Sequence, residues 1–331
     1  MSAGWDLKEG EIKYSAISDD KLWSLFNFVF SSACHKTNSY KFGLIKSILD
    51  NLFNAIPQGN LLFLSYENIF EKFAENYWNL VVKYGIRQMK FNGQSGISKI
   101  EQILLGAVKN NVVLANVEFS SIDNSEKLSI IKKVTSECKK YVIGALYQDF
   151  DGALYAFDLK ADGILISLKA YDFMLKYKAE IEGLNYYHWA KFLESVNDDN
   201  QLVRVIDKLE LATPRRNDLS VYREILRNEF EICNCFYCGK KLSTIHVDHF
   251  IPWTFTKEDK IWNFVLACPH CNEVKNNRVP AFQFIKNLEL QNRLVRESQN
   301  AVVKRDFELY NDELLCKMWD YAKMSGIRVF S

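Results

Sequence analysis

Apolar residues recur at helical spacing along most of the chain. Ser18-Asp19-Asp20 offers a capping hydroxyl and an acidic first turn ahead of Leu22, Trp23, Leu25, Phe26 and Val29. Residues 40–56 carry Phe42, Ile45, Ile48, Leu49, Leu52 and Phe53 on one face and predict a second helix. Ser65 caps a third running to Tyr84, with Ile69, Phe70, Phe73, Tyr77, Leu80 and Val81 inward. Residues 97–108 and 127–146 read as two more. The period then changes to two. Residues 154–159 and 164–168 predict strands joined by Lys160-Ala161-Asp162-Gly163, because Asp-Gly is a strong hairpin signal. A long helical stretch over 171–196 holds Tyr186, Tyr187, His188, Trp189 and Phe192 as core material. Asn197-Asp198-Asp199-Asn200 is a polar break and Thr213-Pro214 a second boundary. Asp218 caps a helix reaching Phe230, and residues 280–296 and 311–324 read as two amphipathic closing helices. No internal repeat or low-complexity tract interrupts the chain.

Composition bounds the reading. At 331 residues the chain exceeds what one hydrophobic core usually serves, so two or more domains are expected. Hydrophobic content of 48% and charged content of 25% suit a soluble globular protein. Five prolines and 14 glycines argue against long disordered linkers. A net charge of +1 excludes a polycation, so any nucleic-acid contact must use a local basic surface. No apolar run reaches membrane-spanning length, and the first residues lack the charge-then-apolar order of a secretory signal. The expected location is therefore the cytoplasm, where the eight cysteines are free or hold metal. His35 and His188, alone in mixed or aromatic settings, read as surface or packed histidines.

The chemistry concentrates in residues 235–280. Cys235-Phe-Tyr-Cys238 and Cys268-Pro-His-Cys271 are two CxxC pairs, each able to set two thiolates on one ion, and together they complete a tetrahedral zinc site. Gly239 relieves the first turn. Cys233 lies outside the spacing, and His270 sits inside a knuckle where its ring would point away. All four positions are filled by protein, so such a zinc is structural and clamps what lies between. There, residues 244–248 alternate as a strand, with Ile245 and Val247 on one face and His246 and Asp248 on the other. His249 follows, Phe250-Ile251-Pro252 turns the chain, and residues 254–260 read as a loop. Asn263 precedes the apolar run Phe264–Ala267, and residues 272–278 predict a short polar helix. The order is strand, strand, helix.

These residues resemble the HNH nucleases of the ββα-metal, or His-Me finger, class. The likeness rests on the Asp248-His249 pair, on Asn263 and Asn272 at 14 and 23 residues after His249, and on the double CxxC frame of the zinc-containing branch. The spacing is similar to that in the HNH domain of RNA-guided DNA nucleases. It covers only about residues 235–280. The resemblance implies that His249 is a general base, that Asp248 and Asn272 hold a catalytic Mg²⁺ or Mn²⁺, and that Asn263 steadies the loop carrying His249 or orients its ring. Periodicity alone puts Asp248 and His249 on opposite faces, so the strand is expected to bend there. His246 is either an extra phosphate contact or a structural hydrogen-bonding histidine. Lys275 and Arg278, three and six residues past Asn272, are either phosphate contacts or solvated helix charges. Arg215, Arg216, Arg223 and Arg227 are interspersed with Asp218, Glu224 and Glu229, which favours an exposed helix face.

The expected architecture is mostly α with a small α+β module. Residues 1–200 form a mainly helical region with one β-hairpin, serving as sensor, partner-binding or oligomerisation platform. Residues 201–331 form a zinc-clamped ββα-metal HNH domain, core 235–280, with closing helices. The implied function is metal-dependent cleavage of double-stranded DNA, leaving 5′-phosphate and 3′-hydroxyl ends, in bacterial anti-phage defence or restriction. A regulatory protein such as an ATPase is a possible partner. The alternatives are an RNA-cleaving, tRNA-type toxin and a non-catalytic zinc module binding nucleic acid or protein.

Overall fold

The computed structural model describes residues 6–90, 96–198, 204–211 and 218–330. Asp199-Asn200, Thr213-Pro214 and Arg215-Arg216 lie outside the described residues. The chain divides into two compact units, Met1–Met174 with Glu180–Pro214, and Leu175–Ala179 with Arg215–Ser331.

The first unit is helices around one sheet. Its elements are β1 (Glu9–Gly10), α1 (Asp19–Phe30), α2 (Tyr40–Asp50), β2 (Ile56–Gln58), β3 (Leu61–Ser65), α3 (Tyr66–Trp78), α4 (Lys99–Asn110), α5 (Asn124–Asp149), β4 (Tyr155–Asp158) and β5 (Gly163–Ser167). Then come α6 (Leu168–Lys176), α7 (Lys178–Glu194) and α8 (Val205–Leu211). The strands form an antiparallel sheet ordered β1-β4-β5-β3-β2. Sequence caps start helices where expected: Ser18 Oγ accepts from the Lys21 amide and Ser65 Oγ from the Asn68 amide. Apolar faces of α2, α3 and α5 meet in the core, with Phe42, Phe70, Phe73, Tyr77 and Val134 buried. Each large apolar side chain so buried contributes roughly 1.5–3 kcal/mol.

Three elements differ from the periodicity. The helix expected over 40–56 ends at Asp50, because Ile56–Gln58 pairs with Leu61–Ser65 across a turn at Gly59, whose φ of +60° suits glycine. The stretch 171–196 is two helices, α6 and α7, with no Gly or Pro at the break to signal it. The third helix gives way after Trp78 to a wider π-helical turn, Asn79–Lys83. The predicted β4–β5 hairpin is present, Tyr155 facing Ile166 and Phe157 facing Ile164. Gly163 is required there, since a Cβ would collide with the Leu64 carbonyl oxygen of β3.

A buried ion cluster sits in this core. Lys46 on α2 contacts the Asp50 carboxylate and lies 3.1 Å from a Glu182 carboxylate oxygen. Burial opposes its charge, yet Asp50, the Tyr186 ring hydroxyl and Glu182 hold its pKa well above the ordinary lysine value. Lys46→Ala removes the cation that both carboxylates face, so calorimetry should show a loss of about 3–5 kcal/mol. A change under 1 kcal/mol would show that solvent reaches the cluster.

The second unit carries α9 (Ser220–Glu224), β6 (His246–His249), α10 (Trp253–Thr256), β7 (Phe264–Ala267), α11 (Pro269–Lys275) and β8 (Val279–Pro280). It closes with α12 (Gln283–Val295), α13 (Ala301–Asp306), α14 (Asp312–Met324) and β9 (Val329–Phe330). β6 and β7 pair antiparallel, and β8 pairs in parallel with β9. β7 is buried throughout, while β6 passes from exposed His246 to buried His249. Mostly helical, with small sheets and a ββα module near its end, the chain has the expected fold class. Among the described residues no helix is long and apolar enough to cross a membrane.

Candidate active site

The cysteine knuckles are built by local turns. Cys235 N donates to Lys240 O, and Gly239 N returns to Cys235 O, with Gly239 at a φ of +70° that a β-carbon would strain. The second knuckle opens α11, with Cys268 as N-cap, its sulfur accepting from the Cys271 amide, and Pro269 in the first turn. Phe236 N donates to Leu266 O and so ties the first knuckle to β7. The ligand atoms of Cys235, Cys238, Cys268 and Cys271 all lie within 4.8 Å of one another, which fits one metal ion. Cys233 and His270 are outside this cluster. Burial raises the Cys235 thiol's pKa, but amide donors from Cys268, Cys238 and Tyr237 outweigh it and bring it down to about 7. Burial and the neighbouring cysteines push Cys271 up. A thiolate-binding cation resolves that competition, because it takes all four sulfurs deprotonated.

The cluster fixes both ends of the ββα module, and a cavity of about 460 Å³ opens between β6 and α11. His246, Asp248, His249, Asn272 and Lys275 all line it. β6 stays paired with β7 through His249, which faces Phe264, and Asp248 and His249 both line the cavity. The two side chains find different partners. Asp248 accepts from Tyr237 Oη at 2.6 Å and from Lys275 Nζ at 3.2 Å. Burial and the Asp248 carboxylate hold the Tyr237 hydroxyl's pKa well up, so it remains a donor. His249 Nε2 lies 2.8 Å from Asp259 Oδ1, and its ring meets Phe264 edge-on. Both turn after β6 at Phe250, whose amide donates to Asn263 O.

Asn263 lies outside the cavity lining. Its buried carboxamide takes both backbone groups of Ile251, accepting from N at 2.8 Å and donating to O at 2.9 Å. It thus fixes the turn two residues after His249, while the ring itself is held by Asp259. His246 is exposed and its Nδ1 is 3.0 Å from the Asn272 amide nitrogen. Lys275 is buried rather than solvated, donating to Asp248, to His249 O at 2.7 Å and to Asn276 O. The helix rise brings it under the strand, where its charge balances Asp248. Arg278 is not in the cavity lining; it donates to Val274 O and Lys275 O at the end of α11 and lies over the Phe330 ring. Those carbonyls are the ones a helix end leaves unpaired. Arg223 is exposed on α9 and Arg227 half-buried in the turn after it.

Sequence reasoning did not single out Tyr237 or Asp259. Tyr237 lies inside a CxxC pair, where only the cysteines drew notice, and Asp259 is one acid in a charged loop.

Two oxygen donors of the cavity, the Asp248 carboxylate and the Asn272 carboxamide, fit a hard divalent cation. Lys275 and Tyr237 orient the carboxylate without using all of its lone pairs.

Comparison with known families agrees with this geometry. Residues 235–278 match the family model described as HNH endonuclease. This stretch is an HNH domain, and its cysteine cluster fits the double-CxxC branch. The match, confined to these residues of the second unit, points to the nuclease class and to nucleic acid as the substrate class. No curated protein and no solved structure matches the chain.

Proposed function

We propose that the protein is a metal-dependent endonuclease that hydrolyses DNA phosphodiester bonds. The observation that carries this is one cavity holding His249, Asp248 and Asn272 within an HNH-matching ββα module. Asp248 and Asn272 are the residues to hold Mg²⁺ or Mn²⁺. With His246 Nδ1 accepting from the Asn272 amide, the carboxamide oxygen would be left to serve a cation. When bound, the cation supplies charge neutralisation at the phosphate and the leaving oxygen. His249 takes a proton from the attacking water, and Asn263 holds the turn that keeps its backbone in place. Cys235, Cys238, Cys268 and Cys271 hold a structural zinc that spaces β6 from α11. The products carry 5′-phosphate and 3′-hydroxyl ends. The helical first unit, beside so compact a nuclease module, suits an effector in anti-phage defence or restriction that is engaged by a partner or signal. Near-neutral net charge supports that reading, since such a surface binds DNA weakly by itself.

The test is incubation of the full chain with plasmid and, separately, with tRNA, with Mg²⁺, with Mn²⁺ or with EDTA. Nicked or linear plasmid that appears with the cation and vanishes with Asp248→Ala supports the proposal. Cleavage of tRNA alone moves the substrate to RNA, and binding without cleavage of either leaves a zinc-based binding module.

A further inference from the structure

The His249 ring is held by a residue outside the motif. Asp259 Oδ1 sits 2.8 Å from His249 Nε2, with side chains only 6% and 7% exposed. The carboxylate is delivered by an anchored loop. Lys257 turns the chain at a φ of +56°, Tyr222 Oη donates to Asp259 O at 3.1 Å, and the Ile261 amide donates to Asp306 Oδ2 at 3.0 Å. On the other side Phe264 stands edge-on to the imidazole, 4.6 Å between centroids. A carboxylate withdrawn from water this far is costly unless it is paired, and the ring is one partner here.

We infer that Asp259 is a positioning residue for His249. An ionised carboxylate only accepts, so it selects the tautomer with the proton on Nε2. The lone pair is then on Nδ1, which carries no hydrogen-bond partner among the described residues, and His249 lines the cavity. This rests on the reading of His249 as the base. In that step a water O–H bond breaks and its proton goes to Nδ1. The water oxygen forms the new bond to phosphorus, the opposite P–O bond breaks with its electron pair on the leaving oxygen, and that oxygen takes a proton from solvent. Asp259 touches none of the reacting atoms. It decides which nitrogen is basic and faces the positive charge the ring acquires.

The experiment uses the full-length zinc-loaded chain labelled with ¹⁵N-histidine, in magnesium-free buffer at mildly alkaline pH, with His249→Ala identifying the resonance. Long-range ¹H–¹⁵N spectra should show His249 protonated on Nε2 in the wild type. Asp259→Ala should mix the tautomers, and Asp259→Asn, nearly isosteric if the alanine variant folds poorly, should shift the proton towards Nδ1. In plasmid cleavage both should lower kcat roughly 10²-fold with KM within about threefold, the size of a base lost to misorientation. A wild-type ring protonated on Nδ1, or variants with unchanged tautomer and kcat, would overturn the inference. A wild type without His249-dependent cleavage would fail the nuclease reading instead, and the NMR result would then decide the pairing alone.

Discussion

His249→Ala is expected to slow single-turnover plasmid cleavage by about 10²–10⁴-fold, the range a general base contributes. The ring is buried between Asp259 and Phe264, borders the cavity, and has its backbone carbonyl bonded to Lys275 Nζ. On the proposed mechanism the substitution removes the proton acceptor and leaves Asp248 and Asn272 to hold the cation, so binding of Mn²⁺ followed by paramagnetic relaxation should be little changed. It also strips Asp259 of a buried partner, costing on the order of 1–3 kcal/mol of stability. Rates should therefore be compared well below the variant's melting temperature. A rate within threefold of wild type would remove His249 from the mechanism.

The second large effect concerns the cysteines. Cys271→Ala, or removal of zinc by a strong chelator, is expected to unfold the ββα module, because binding of a structural zinc is worth about 10–16 kcal/mol near neutral pH. Little else local can replace it. β6 and β7 are four residues each and α11 is seven, too short to persist alone. Metal analysis should find one zinc per wild-type chain and none in Cys271→Ala, whose second unit should lose amide-exchange protection. The pH dependence follows from Cys235. Amide donors hold its thiol at about 7, below the usual cysteine value, so its thiolate is present above that pH and is lost as pH falls through it. Protons then compete with zinc, and retention should drop on acidification and recover on raising the pH. A protein that folds and cleaves fully after complete zinc removal would refute the clamp.

Much of this was legible because it is local. Ser18 and Ser65 announce helix starts through hydroxyls that reach amides three residues on. The CxxC pairs bring their own turns, and the spacings from His249 to Asn263 and Asn272 pick out the module that the family comparison matches. The misread elements are those where distant segments compete. Periodicity extended α2 to residue 56, but pairing with β3, itself paired to β5 a hundred residues on, drew 56–58 into the sheet.

Residue types and short spacings were thus sufficient to name a ββα module, a four-sulfur site and several of the residues that line its cavity. The partner of each polar atom there was decided only by tertiary structure. Lys275 pairs with Asp248 across 27 residues, Asp259 with His249 across 10, and Tyr237 with Asp248 across 11. A helix or turn fixes geometry over three or four positions. Which donor meets which acceptor beyond that depends on how the packed segments are brought together, and no local pattern encodes it.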